Sequence, residues 1–273
     1  MAPRLCETCC AMRPLLALTL AGICLGSIIP GTTANALPLP GCAGRVEIAH
    51  ARIARVEKNG ALILTDGRAV MLEGIRLPLT DRGPAGLGDD ALSALRSLAL
   101  AAPLTLTAIP PKEDRYDRVR AQAFGDSWIQ TELLKRGLAR VELAPDRSEC
   151  AAELYAAEKQ ARSSGAGLWA FAAMAVRKPE TLGVADEGSF QLVEGKIMQA
   201  ANHDGRVFLD FSSDYRRGFS ATIAPEDHRM FRAVRPPVEE LTGHTVRLRG
   251  MVEDYGGRPE IAISSPAQIE FVN

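Results

Sequence analysis

The chain has 273 residues, with 32 Lys+Arg against 33 Asp+Glu, 47% hydrophobic and 5% aromatic residues, and six cysteines. This is globular composition, and it excludes global disorder, collagen and a polytopic membrane protein. A formal net charge of −1 gives no whole-chain argument for a polyanionic partner, and at roughly 100–200 residues per domain the length suits one large or two small domains.

The first segment reads as an export signal over residues 1–36. Arg4 and Arg13 precede an apolar stretch from Leu15 to Ile29, and Ala34-Asn35-Ala36 supplies the small-x-small pattern of a signal peptidase site. Gly22 and Gly26 interrupt the apolar run, and it is shorter than the roughly 20 residues a spanning helix needs. An uncleaved anchor is the alternative; with cleavage, no membrane association is expected. Cys6, Cys9, Cys10 and Cys24 leave with the signal, so the mature chain keeps Cys42 and Cys150. In an oxidising compartment two cysteines predict one disulfide, and two free thiols are the other possibility.

Dividing the mature chain near Lys178 reveals a charge asymmetry. Residues 37–178 carry 20 Lys+Arg and 17 Asp+Glu, net +3; residues 179–273 carry 10 and 15, net −5. In the first part, Val46 to Val56, Ala61 to Leu64 and Ala69 to Leu72 read as strands, with Asp66-Gly67 as a hairpin turn. Asp89 is expected to cap a helix running to about Leu100. Pro103 to Ile109 and Arg120 to Phe124 are strand-like, followed by helices from Ile129 to Arg136 and from Ala151 to Ser164, stopped by Gly137 and Gly165. Short strands closed into a barrel with helices packed on it fit this order.

Residues 179–188 lose apolar periodicity and read as a linker. Beyond it, over 189–273, strands are predicted at Phe190 to Ala201, Arg206 to Phe211, Phe219 to Ile223, Thr245 to Glu253 and Glu260 to Ile263, with a short helix from Pro225 to about Val234. Five strands with a helix between the third and fourth suit a second, OB-like β-barrel. Phe208 and Phe211 fall on opposite faces of one strand, which puts at least one in the core.

Four pieces of the first part carry a resemblance. They are the hairpin with Leu72-Glu73-Gly74-Ile75-Arg76-Leu77-Pro78, the loop Asp114-Arg115-Tyr116-Asp117-Arg118, the segment from Glu132 to Val141, and Ala157-Glu158-Lys159-Gln160-Ala161 with Gly167-Leu168-Trp169. In order over about residues 46–170, they resemble the staphylococcal nuclease (thermonuclease) family. The resemblance implies a fold that is mainly β with α (α+β), an OB-type barrel with three helices. It also implies a secreted calcium-dependent phosphodiesterase, in which two aspartates help hold calcium, a glutamate assists the attacking water and two arginines stabilise the phosphate oxygens.

Carried across one position at a time, that machinery is largely missing. Gly60 stands at the first metal aspartate, Met71 at an arginine, Arg76 at the second metal aspartate and Leu79 at the glutamate; Arg118 alone matches. The change at Arg76 is the most severe, because unit charges about 4 Å apart interact by roughly 4 kcal/mol at an effective dielectric of about 20, here with the sign reversed. Asp66 and Asp81 are the carboxylates a shifted alignment would bring in; Asp66 is better explained by its turn.

The expectation is therefore an exported protein, periplasmic or secreted, whose nuclease domain has lost calcium-dependent hydrolysis and uses no cofactor. It would act by binding a protein partner or a phosphate-bearing ligand. Lys112, Arg115, Arg118, Arg120 and Arg76 are the anion-binding candidates, with Arg82 on the same rim, because arginine forks suit phosphate oxygens. The competing view is a solvated loop whose arginines pair with Glu113, Asp114 and Asp117. Tyr215-Arg216-Arg217-Gly218-Phe219 mixes aromatic and basic residues as single-strand binders do, but net −5 over that half gives nucleic acid only weak support. An active nuclease with a rebuilt site is the alternative function.

Overall fold

A computed structural model describes residues 38–79, 83–214 and 217–272, which fall in one compact unit. Residues 1–36, read above as an export signal, lie outside the described residues, as do Asp81, Arg82, Tyr215 and Arg216.

The first half opens with a 3-10 turn, Gly41–Ala43, and strands β1 (Arg45–Ala51), β2 (Ile53–Val56), β3 (Leu62–Leu64), β4 (Ala69–Leu72) and β5 (Ile75–Arg76). Helix α1 (Leu87–Leu100), β6 (Leu104–Ala108), β7 (Val119–Phe124), α2 (Ile129–Lys135), β8 (Arg140–Val141) and α3 (Ala151–Ser164) follow. Six strands form one sheet in the order β1-β6-β7-β4-β3-β2. Its two edge strands are consecutive in the chain, separated by Arg52 alone, so the sheet curls back as a half-barrel. Alternate residues such as Leu62, Leu64, Val70 and Leu72 face inward, where Leu104, Leu106, Leu133 and Leu154 complete the core.

Local signals account for most boundaries. At the β3–β4 turn Gly67 takes φ +91°, and Asp66 accepts the backbone N–H of Arg68 at 3.1 Å and pairs with its guanidinium. Asp66 is thus the turn residue its sequence suggests. The expected long strand from Val46 to Val56 is two, because β1 pairs with β6 through two register shifts and the chain bends at Arg52 to meet β3 instead. Asp89 does not cap α1. The cap is Gly86, at φ +90°, while Asp89 and Asp90 lie in the first turn, where their charges favour the helix macrodipole.

Two glycines explain why the last two motif pieces occur together. Gly137 (φ +65°) ends α2 and Gly167 (φ +56°) begins the 3-10 turn Gly167–Ala170. They lie back to back: the N–H of Leu168 donates to the carbonyl of Gly137 at 2.9 Å, and a Cβ on Gly137 would stand 2.1 Å from the carbonyl oxygen of Ala166. A side chain at either position would force the backbones apart.

The second half contains β9 (Phe190–Lys196), β10 (Gln199–His203), β11 (Arg206–Asp210), β12 (Ser220–Ile223), α4 (His228–Phe231), β13 (Thr245–Asp254), β14 (Pro259–Ala262) and β15 (Ile269–Phe271). Seven strands join one sheet, where five were expected. The predicted strand from Phe190 to Ala201 turns at Ile197-Met198 and becomes β9 and β10, which pair with different neighbours. Short β15 forms because the chain end adds to β13. The expected helix from Pro225 splits into a 3-10 turn, Pro225–Asp227, and the four residues of α4. Val207, Leu209, Ala221, Ile223, Leu248 and Ile261 build this half's core. Residues 179–188 fold as two 3-10 turns, with Gly188 donating to Val252 and Arg177 paired to Asp186.

The halves share a third apolar cluster, in which Leu168, Trp169 and Met174 meet Phe190 and Leu192. Beside it runs a buried ionic network. Arg249 of β13, 1% exposed, donates to both oxygens of Glu158 of α3 at 3.2 and 3.0 Å, to the carbonyl of Val141 at 3.0 Å, and to Glu270. Glu158, 0% exposed, also accepts the N–H of Val141 at 2.8 Å. Tyr155 donates to the carbonyl of Ala267, and burial pushes its hydroxyl up to about 12 despite the opposing charge of Arg249.

The network carries a pH signature. Burial tends to raise Glu270, but Arg249, Arg247 and Arg162 outweigh it and hold the carboxyl below its usual range. Asp114 is also held low, its slight burial outweighed by Arg118 and by backbone N–H groups. Groups depressed in this way contribute stability that is present above the ordinary carboxylate value and lost as pH falls through the folded value. The melting temperature is thus expected to fall below about pH 5, with a shallower acid limb in Glu270→Gln. Superimposable acid limbs for the two proteins would contradict this assignment.

Candidate functional site

Two adjoining hollows lie where the resemblance places catalysis. The first, about 490 Å3, is lined by Gly60, Met71, Arg76 and Leu79 together with Lys58, Ile75, Leu77 and Glu142. Four of the five positions named from the sequence therefore share one concavity. The fifth, Arg118, lines a second hollow of about 470 Å3 that shares Met71, Leu72, Ile75 and Glu142 with the first. Its far wall comes from the second half, including Arg249, Met251 and Glu253.

The backbone explains the grouping. β4 runs parallel to β7 with Met71 opposite Arg120, and β5 pairs with β8 so that Arg76 lies opposite Arg140, two residues before Glu142. The loop before β7 is shaped by Asp114, whose Oδ1 accepts the N–H groups of Tyr116 at 2.9 Å and Arg118 at 3.1 Å. This turn sets the Arg118 side chain back against Asp114 Oδ2, with Nε at 2.8 Å and Nη2 at 2.7 Å.

Among the described residues, Lys112, Arg118, Arg120 and Arg76 are each matched to a carboxylate and Arg115 is not. Arg120 is clamped by Glu73 at 2.6 and 3.1 Å and approaches Asp146 at 3.5 Å. Lys112 pairs with Glu47, and Arg76 with Glu142 at 3.5 Å while lying over the Phe190 ring. Arg115 and Arg118 both stack on Tyr116, at 4.8 and 5.0 Å from its centroid. Of the three acids proposed as loop partners only Asp114 serves. Among the described residues Glu113 and Asp117 make no ion pair; Glu113 bridges to Val119 through its backbone and Asp117 occupies a left-handed turn at φ +58°. The partners that the sequence reading missed, Glu73 and Glu142, directly follow β4 and β8; Glu73 stands inside the first motif segment and Glu142 immediately after the third.

In the second half, Phe219 is in the core, 2% exposed and 5.3 Å from Phe211. Its ring is withdrawn from the mixed aromatic and basic surface that its sequence neighbours suggest.

Residues 69–171 match the family model described as staphylococcal nuclease homologue. That part of the chain is a staphylococcal-nuclease-like domain. The match begins at β4, although β1, β2 and β3 belong to the same sheet. No curated protein matches the chain.

For this nuclease-like domain the donor set decides whether calcium fits. A hard cation needs several oxygen ligands. Among the described residues, the hollow that holds Gly60, Arg76 and Leu79 is lined by one carboxylate, Glu142, and that carboxylate already faces the guanidinium of Arg76. The described residues do not by themselves fit calcium. Among the described residues the one group of three possible ligands is Cys42, Cys150 and Glu153, and the two sulfurs there are bonded to each other.

Proposed function

We propose that the nuclease-like domain binds rather than cuts, and that the protein is an exported, degenerate member of the thermonuclease family whose site has become a docking hollow. The observation that carries this reading is Arg76, which stands among Met71, Ile75, Leu77 and Leu79 with its charge turned to Glu142. An apolar hollow rimmed by satisfied ion pairs accepts a protein side chain at little electrostatic cost. A phosphate-bearing ligand would have to displace Asp114 or Glu73 from arginines they already hold, since exchanging one charge-assisted contact for another returns little net energy. Export agrees with the Cys42–Cys150 bond, whose Cα atoms are 5.1 Å apart, because such bonds persist in oxidising compartments. No described helix is long and apolar enough to cross a membrane.

The deciding assay incubates the purified protein with single-stranded DNA and RNA, with calcium or with chelator. No chelator-sensitive cleavage is expected. Cleavage that vanishes with chelator and in Arg118→Ala would establish the alternative, an active nuclease with a rebuilt site. Titration with a short oligonucleotide separates the two binding readings. Affinity falling with salt at a log-log slope of about −0.7 per phosphate contact on a single strand would favour the phosphate-bearing ligand.

A further inference from the structure

The outward face of the second sheet holds a recess separate from the nuclease-like domain. The β10–β11 hairpin pairs Gln199 with Asp210 and Ala201 with Phe208. Val207 and Leu209 point into the core, so Phe208 and Asp210 face the other way. Tyr255 and Arg258, from the turn between β13 and β14, enclose with them about 380 Å3, within the roughly 300–1,000 Å3 of small-molecule sites.

The chemistry of the recess is specific. Asp210 is 8% exposed, and among the described residues its buried Oδ1 has no hydrogen-bond partner. Buried polar atoms are nearly always satisfied, so a carboxylate oxygen without a protein donor in the wall of a cavity is open to one from water or from a ligand. One wall is flat: the Arg258 guanidinium lies 5.3 Å from the Tyr255 ring centroid and 5.9 Å from that of Phe208, steered by Glu260 at 3.5 Å. His203 closes the side, edge-on to Phe208 at 6.0 Å. Arg258 disfavours a cationic ligand and Asp210 an anionic one, which leaves a neutral ring. A carboxylate carries two acceptor oxygens side by side, matching an edge with two adjacent N–H donors.

We propose that this recess binds a neutral planar nitrogen heterocycle of the guanine class, its N–H edge on Asp210 and its face against Tyr255, Phe208 and Arg258. Burial also pushes the Asp210 carboxyl up, with Arg258 and His203 pulling it back, so the ring's donors would meet a group poorly served by solvent.

Calorimetric titration of the full protein with guanosine tests this, because a nucleoside without phosphate gives the arginine-lined hollow nothing to hold. Saturable 1:1 binding is expected, weakened about tenfold by Tyr255→Ala, the usual scale for losing one stacking ring, and by Asp210→Asn. Tyr255 is 55% exposed, so its truncation leaves the fold intact. N1-methylguanosine, which blocks the paired edge, should bind at least tenfold more weakly to the unaltered protein, so the test survives a poorly folding Asp210 variant. Absence of guanosine binding at millimolar concentration overturns the proposal. Equal binding of guanosine, N1-methylguanosine and uridine, or affinity unmoved by Tyr255→Ala, overturns it as well.

Discussion

Glu158→Ala is expected to lower stability by about 3–5 kcal/mol, the cost of leaving a buried cation without its partner. The geometry makes the effect this large. Arg249 and Glu158 are 1% and 0% exposed, and the alanine would remove both carboxylate contacts to Arg249 and the acceptor for the Val141 N–H. Arg162, which also approaches Glu158 at 3.4 Å, would lose a partner in the same step. Burial favours shedding the proton from Arg249, and in the parent protein Glu158, Tyr155 and Glu270 outweigh it; a guanidinium is effectively always protonated, so the stranded side chain remains charged. At roughly 2–4 °C per kcal/mol for a protein of this size, the melting temperature should fall by about 6–20 °C. Because α3 belongs to the first half and β13 to the second, a second transition should separate from the first in calorimetry. The double replacement Arg249→Met with Glu158→Leu should recover much of the loss, since well-packed apolar groups often replace a buried ion pair at little cost. A single variant that melts like the parent would show that the network does not couple the halves.

The second large effect concerns the bond between Cys42 and Cys150. It joins the turn before β1 to the residue that caps α3, closing a separation of 108 residues. Loop-closure entropy alone gives about 4–5 kcal/mol for a loop of that length, and removing a native bond costs about 2–5 kcal/mol in small secreted domains. Cys42→Ala with Cys150→Ala should therefore shift the denaturant midpoint strongly downward, with a steeper slope because the denatured chain freed of the bond exposes more surface. Reducing agent should move the parent protein to the same midpoint and leave the double variant where it is. Equal midpoints for oxidised and reduced parent would show that the bond adds nothing to the native state. The same experiment bears on export, because protein recovered from cells with both thiols free would place it in a reducing compartment.

Much of the fold was legible from local chemistry. Gly137 and Gly165 stop their helices, Asp66-Gly67 turns its hairpin, and α3 spans the residues its pattern predicts. Strand ends were harder where one extended run served two sheet neighbours, as at Arg52 and at Ile197-Met198, because the bend depends on which strand lies alongside. At the site, reading Gly60, Arg76 and Leu79 at the family's carboxylate positions needed only the order of residues in and beside the motif segments.

Pairing required the folded chain. Glu73 reaches Arg120 across 47 positions, Glu142 reaches Arg76 across 66, and Glu158 reaches Arg249 across 91. Hydrophobic period and turn chemistry act over a few residues and say which face is buried. They do not say which distant charge will meet it. The order of residues could place Gly60, Arg76 and Leu79 where the resemblance puts carboxylates; that Arg76, Arg118 and Arg120 are held by carboxylates, and that Asp210 lines a separate recess, follows from packing that brings remote strands within hydrogen-bond range.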